Sequence, residues 1–356
     1  MRSGLIVAVL LLGAAAGALL GVRHWLDAQY AAAGPAQQPT RVVVAPGSGV
    51  RAVLGQLSAA GVLAHPRRTE LDLRLHRRRF NPKAGEYEIP AHASAATIVT
   101  MLVEGRVVLQ ALTIVEGTTF ADFRHALEND PKVHATLRGK SDAEVMAAIG
   151  HPGEQPEGRF FPDTYRFAAG TTDAEILKQA YERMQQVLTD AWARHADVAP
   201  LSTAYDALVL ASIVEKETGL PTERPRIAGV FLSRLRKGMR LQSDPTVIYG
   251  MGAQYAGEIR TRDLLTDTPY NTYTRAGLPP TPIALPGREA IQATVHPAAN
   301  GELYFVATGD GDGGHHFSAT LAEHNVAVQH YLQRLRAQGA IALPSTATTR
   351  SARSGR

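Results

Sequence analysis

The sequence predicts an α+β protein in three parts: a membrane-spanning N-terminal helix, a small α/β module and a larger mixed α/β body. Three observations carry this. An uncharged run of 19 residues, GLIVAVLLLGAAAGALLGV, stands at Gly4–Val22. Short β-branched runs alternate with helix-spaced apolar residues over 41–110. From 111 onward, amphipathic helical stretches alternate with loops punctuated by Gly and Pro.

The N-terminal run comes first. About 20 apolar residues cross a bilayer core as a helix, so 4–22 reads as an anchor with residues 1–3 as its cytoplasmic end. Arg2 precedes the run and Arg23 and His24 follow it, so flanking charge orients it weakly. The very short N-terminal flank favours placing the body outside. A cleavable signal peptide is the competing reading, with Ala31-Ala32-Ala33 as a weak processing site. Residues 23–40, including AAAGPAQQPT, read as a linker.

The module at 41–110 begins with a strand at Arg41–Val44, broken by Gly47-Ser48-Gly49. A helix carrying Val50, Val53, Leu54 and Leu57 then runs to Gly61. GEYEIP at 85–90 alternates like a strand. Ser94 caps a helix with Ile98, Met101 and Leu102, stopped at Gly105. Val107–Val115 is strand-like again. The body at 111–340 opens with a broken helical stretch at 129–150 and an aromatic loop, EGRFFPDTY, at 157–165. Thr172 and Glu175 frame a capping box for a long helix to about Arg194. Residues 341–356, rich in Ser, Thr and Arg, form a tail.

Composition removes several classes of chemistry. Of the 356 residues 45% are apolar and 20% charged, as in ordinary globular proteins, which excludes collagen and global disorder. With no cysteine there is no disulfide framework, thiolate metal site or thiol nucleophile. The net charge of +4 is local. Residues 67–79 hold six arginines against Glu70 and Asp72, and the tail adds Arg350, Arg353 and Arg356, so the rest is mildly acidic. Residues 67–79 read as a solvated surface stretch, and nucleic acid is not an expected partner.

The helix YDALVLASIVEKETG at 205–219 is the best carrier of chemistry. Leu208, Val209, Leu210, Ile213 and Val214 wrap most of it, which marks a buried helix. Glu215 continues the stripe of Leu208, Ala211 and Ser212, so a carboxyl leaves a buried face. Burial and the negative helix end both raise its pKa, as a general acid at neutral pH requires. A salt bridge to Arg224 or Arg226, or a plain helix-end glutamate, remains open. Glu217, about 200° around the helix, reads as solvated. In RLQSDPTVIYG (240–250), Asp244 reads as an N-cap before Pro245. YNTYTRAGLPPTPIALPG (270–287) is a pre-organised loop presenting amide, hydroxyl and aromatic groups suited to a neutral sugar polymer. The binding candidates are Gln242, Asp244, Tyr249, Asn271, Tyr273 and His316. GDGDGGHHF (309–317) departs from an EF-hand, and His315, His316 and His324 read as surface or substrate contacts rather than zinc ligands. No metal and no cofactor is expected.

These segments resemble one family. LASIVEKET, RLQSDPTVIYG, YNTYTRAGLPPTPIALPG, HPA (296–298) and LYFVATG…HHFSATLAEHN (303–325) stand in the order found in the YceG-like (MltG) endolytic murein transglycosylases. The resemblance covers about 41–337 and extends to the anchor. It implies that Glu215 is the catalytic residue and that 41–110 is a LysM-like module. It implies a lyase that cuts peptidoglycan glycan strands internally, leaving 1,6-anhydro-N-acetylmuramoyl ends and limiting strand elongation. The protein would sit in the inner membrane as a single-pass protein with its body on the cell-wall side, associated with peptidoglycan synthases. One glutamate suffices for such chemistry, acting first as acid and then as base. A non-catalytic wall-binding scaffold and a hydrolytic muramidase are the alternatives.

Overall fold

The computed structural model describes residues 2–298 and 301–338; the expected tail at 341–356 lies outside them. Contacts divide the chain into two compact units. One comprises 1–112, 130–135 and 166–172; the other comprises 113–129, 136–165 and 173–356. Two short later segments, 130–135 and 166–172, thus return to the first unit.

The first unit holds α1 (Arg2–Ala31), β1 (Thr40–Val44), α2 (Val50–Ala59), α3 (Pro66–Leu75), β2 (Gly85–Ile89) and α4 (Ala95–Glu104). β1 and β2 pair antiparallel, with Thr40 opposite Ile89 and Val44 opposite Gly85. The strand period of two sends Val42, Val44, Tyr87 and Ile89 inward to meet Val53, Leu54, Leu57, Leu73, Ile98 and Leu102. α4 ends as predicted: Ser94 Oγ accepts from Thr97 N, and Gly105 takes a left-handed φ of 76°.

Two expectations need correcting here. The Arg-rich stretch is not merely solvated surface. Pro66 starts a helix whose Thr69, Asp72 and Leu73 are buried, because Leu73 completes the module core. The linker expected over 23–40 is helical as far as Ala31 and docked. Leu26 is buried, Asp27 pairs with Arg78 at 2.6 Å, and the Arg68 guanidinium lies 5.3 Å from the Trp25 ring. The predicted anchor lies within α1, but its Gly4, Leu5 and residues 7–9 fall outside the described side chains. Among the described residues, no helix is long and apolar enough to cross a membrane.

β3 (Leu109–Thr113) and β4 (Thr164–Ala168) form a two-stranded sheet. The second unit contains α5 (Phe120–Asn129), α6 (Asp142–Ala148), α7 (Asp173–Trp192), α8 (Ala204–Glu217) and α9 (Arg224–Arg236). It continues with α10 (Asp244–Met251), α11 (Thr261–Leu265) and α12 (Arg288–Val295). β5 (Tyr304–Ala307), β6 (His315–Ser318) and α13 (Leu321–Ala337) complete it. β5 and β6 pair antiparallel.

The core of this unit is helix on helix. Met184 and Val187 of α7, Leu208, Leu210, Ile213 and Val214 of α8, Ile227 and Phe231 of α9, and Ile291 and Val295 of α12 pack together. All eight residues Ala207–Val214 are buried, as the apolar circumference of α8 predicted. Thr203 and Asp206 form a capping box at its start. On α9, Gly229 lies against the 297–298 segment, where a Cβ would lie 2.1 Å from the Ala298 carbonyl oxygen. Gly229→Ala is therefore expected to cost about 1–3 kcal/mol through backbone displacement. Gly55→Ala on α2, where a Cβ meets open space, should be neutral or stabilising. Thermal melts of both variants check the contrast.

Candidate active site

Glu215 sits at the meeting of three pieces of chain. Its stripe on α8 carries Ser212, whose Oγ accepts from Ile283 N at 3.0 Å. One turn further, Glu215 Oε2 accepts from Gly287 N at 2.8 Å. The end of the proline-rich loop, 283–287, is thus laid along the stripe predicted to carry the carboxyl. Its other edge is held by the turn after β3: Gly117 N donates to Leu285 O, and Leu285 N donates to Thr118 O. Gly117 makes that turn with φ of 78°, in the left-handed region open to glycine.

The electrostatics of Glu215 are contested from several sides. Its side chain is 5% exposed, and Arg224 Nη2 lies 3.3 Å from Oε1. Arg224 also bridges Glu289 and lies 4.0 Å from Glu116. Three carboxylates therefore surround one guanidinium, whose Nε is buried without a partner among the described residues. Burial, the largest cause, raises the Glu215 pKa. The Gly287 N–H and Arg224 oppose it, and the charges of Glu116 and Glu289 push upward again. Gly287 is also the N-cap of α12, so the positive end of that dipole opposes the negative end of α8. The salt bridge left open by the sequence exists, to Arg224. Arg226 pairs with Glu302 instead.

Beside this group lies an open cleft of about 950 Å³ lined by Phe120, Glu157, Lys216, Tyr249, Tyr255 and Tyr270. Lys216 Nζ donates to Gly117 O at 3.0 Å. Glu215 is not among the lining residues; a Cβ at Gly117 would stand 3.6 Å from the Lys216 side chain and 3.8 Å from that of Glu215. The 116–118 turn thus borders both the cleft wall and the carboxyl. Aromatic faces with scattered polar groups suit stacking against sugar rings.

The binding candidates divide. Tyr249 lines the cleft and donates from its hydroxyl to Glu157 Oε2 at 3.1 Å. Asp244 and Tyr273 lie near Glu217, and Gln242 is bonded to Arg234 on the same side; Asn271 serves the loop itself. Asn271 is 1% exposed, and its amide nitrogen donates to the carbonyls of Asp263, Leu264 and Thr266. Its oxygen accepts from Tyr273 N, so its polar atoms hold the loop together. Gln242 accepts from Arg234 Nη1. Asp244 is the first residue of α10 rather than its N-cap, which is Ser243, and it accepts from the Tyr273 hydroxyl. Glu217 is not solvated. Ser243 Oγ donates to it, and burial pushes its pKa up to about 7. The loop at 240–243 folds over that side of α8, which the helix period could not foresee. His316 is exposed and lines a different hollow with Glu323 and Tyr331. His315 bonds to Glu223 at 2.7 Å, and His324 stacks on Tyr304.

Sequence reasoning missed Glu116, Glu157 and Glu289. Glu157 is 7% exposed, accepts from Phe120 N at 3.0 Å, and is pushed up to about 7, chiefly by burial. Its ordinary value is 4.5, so folding favours the protonated form. That contribution is full below the ordinary value and is lost as pH rises through about 7. From about pH 5 to about pH 8 the wild type should therefore lose thermal stability relative to Glu157→Gln. Parallel melting profiles would contradict this.

A buried glutamate on a core helix thus stands beside an aromatic cleft. Comparison supplies the family: the YceG-like family model matches residues 42–330, and the chain belongs to the YceG-like family. It is 36% identical over 184 residues to the endolytic murein transglycosylase of Bacillus subtilis (strain 168), covering 52% of this chain and 49% of that one. It is 26% identical over 324 residues to the endolytic murein transglycosylase of Streptococcus pneumoniae serotype 2 (strain D39), covering 82% of this chain and 58% of that one. The chain thus spans about half the length of these curated relatives. The crystal structure of a YceG-like protein from Listeria monocytogenes superposes with a TM-score of 0.51 at 28% identity, covering 82% of this chain and 99% of that one.

Proposed function

We propose that this protein is an endolytic peptidoglycan lytic transglycosylase that cleaves the bond between N-acetylmuramic acid and N-acetylglucosamine within glycan strands. The carrying observation is Glu215, a buried carboxyl with a raised pKa next to an aromatic cleft. The names of the relatives support the same reading. Glu215 gives its proton to the glycosidic oxygen as the bond to C1 breaks. The C6 hydroxyl of the same muramoyl residue then closes onto C1 and returns its proton to Glu215. The product is a 1,6-anhydro ring, with no water consumed and no net proton released. The substrate's acetamide helps to carry the positive charge at C1. Ordinary glycosidases need a second carboxylate to activate water or attack the sugar; here the sugar supplies its own nucleophile.

The uncharged run at Gly4–Val22 supports a single-pass anchor in the inner membrane, with the body on the cell-wall side. The β1-α2-α3-β2 order of the first unit supports a LysM-like role in holding glycan. Cutting nascent strands would limit their elongation beside peptidoglycan synthases. Incubating the full chain with uncross-linked glycan strands and weighing the new ends tests the reading. Muramoyl ends lighter by one water than a reducing sugar are expected. Ordinary reducing ends would establish a hydrolase instead, and uncut strands would leave a binding scaffold.

A further inference from the structure

We propose that Glu116 is a positioning residue for Glu215: its carboxylate, laid across Gly287 and facing the same guanidinium, keeps the acid's proton in place between turnovers. The inference rests on the reading of Glu215 as the acid and adds a second carboxyl that no motif marked.

The geometry is specific. Arg224 Nη2 lies 3.3 Å from Glu215 Oε1 and 4.0 Å from Glu116 Oε2. A Cβ on Gly287 would fall 1.9 Å from Glu116 Oε1, so the Glu116 carboxylate rests directly on the glycine Cα. The N–H of that same glycine donates to Glu215 Oε2 at 2.8 Å. The two carboxylates therefore share one glycine and one guanidinium nitrogen. This explains the glycine at 287, where φ is an ordinary −77°: what it supplies is room. Any side chain there would expel Glu116.

Each element packed around Glu215 brings a charge or a dipole end. Arg224 comes from α9, Glu289 and the N-terminus of α12 from above Gly287, Glu116 from the turn after β3, and Lys216 from α8 itself. Lys216 is turned away to the Gly117 carbonyl. Glu289 is 63% exposed and engaged with Arg224. Glu116, 44% exposed, has no closer polar contact among the described residues, so its charge is spent on this neighbourhood. Of the two carboxylates that oppose ionisation of Glu215, Glu116 has the larger effect. Without it, Arg224 and the Gly287 N–H would draw Glu215 toward the carboxylate, which cannot protonate a leaving oxygen.

The test is the pH profile of kcat/KM for the full chain on uncross-linked glycan strands, for wild type, Glu116→Gln and Glu116→Asp. Glu116→Gln should move the high-pH limb down by about half to one pH unit, with the melting temperature unchanged. Activity should then fall roughly 3- to 10-fold above the limb and stay near wild type below it. Glu116→Asp should recover part of the shift. Should the Gln variant not fold, the Asp variant reads the same limb and should move it partway. A limb that stays in place, with activity either kept or lost equally at every pH, overturns the proposal. Failure of the underlying reading looks different: wild type itself would then yield no anhydro ends.

Discussion

Replacing Glu215 with Gln is expected to lower glycan-strand cleavage by roughly 100- to 10,000-fold, the range in which general acid–base groups contribute. The fold should survive. Gln keeps an oxygen for the Gly287 N–H, and the charged form of Glu215 is disfavoured by its burial. Removing that charge costs the structure little, so the melting temperature should stay within about 3 °C of wild type. Release of soluble muropeptide-bearing fragments, read beside a thermal melt, separates the two effects. Retained activity would move the catalytic role elsewhere. Glu217 is the first suspect, since it lies two residues on and burial pushes its own carboxyl up to about 7.

Arg224 gives the second large effect, and it is mainly structural. Its side chain is 8% exposed and stands among Glu215, Glu116 and Glu289. Arg224→Met should destabilise the protein by about 3 kcal/mol, because breaking a buried pair strands a charge. Glu116 and Glu289 are partly exposed and regain water; the cost concentrates on Glu215. Its pKa should rise further once the guanidinium is gone. The deficit should then be smallest in acid, where Glu215 is protonated in folded and unfolded chains alike, and grow as pH rises past its unfolded value. Denaturant melts of Arg224→Met, Glu215→Gln and the double variant form a cycle. The double variant should recover part of the loss. Strict additivity would show that the two side chains do not interact.

What could be read from the chain tracks the reach of local rules. α8 is legible because Leu208, Val209, Leu210, Ile213 and Val214 wrap most of its circumference, and the i, i+3, i+4 stripe runs from Leu208 to Glu215. Ser94, Gly105 and the alternation in GEYEI were legible because caps and strand periods are local. Asp244 was displaced by one position, since Ser243 precedes it and either residue type can cap. Glu217 was misread because a helical wheel shows which faces are apolar, not which loop will cover a polar one. Gln242, at φ of 53°, turns the chain so that its N–H meets the Thr272 carbonyl and Ser243 meets Glu217. Glu116, Glu157 and Glu289 were invisible for a related reason. They come from separate segments, two of them irregular, and share surroundings only after 283–287 docks on α8 or Tyr249 reaches Glu157. The Arg-rich stretch reads as surface from its charge; the buried Thr69, Asp72 and Leu73 of α3 decide its structure.

On the proposed function, Glu215 assists a reaction in which the sugar's own C6 hydroxyl replaces water. The most direct measurement digests uncross-linked glycan strands with the full chain in heavy-oxygen water, then weighs the newly formed muramoyl ends. Ends lighter by one water and free of heavy oxygen are expected, and they should be absent when Glu215→Gln is used. New reducing ends carrying heavy oxygen at C1, in excess of those on strands incubated without the protein, would contradict it, since a 1,6-anhydro end has no C1 hydroxyl to take up solvent oxygen.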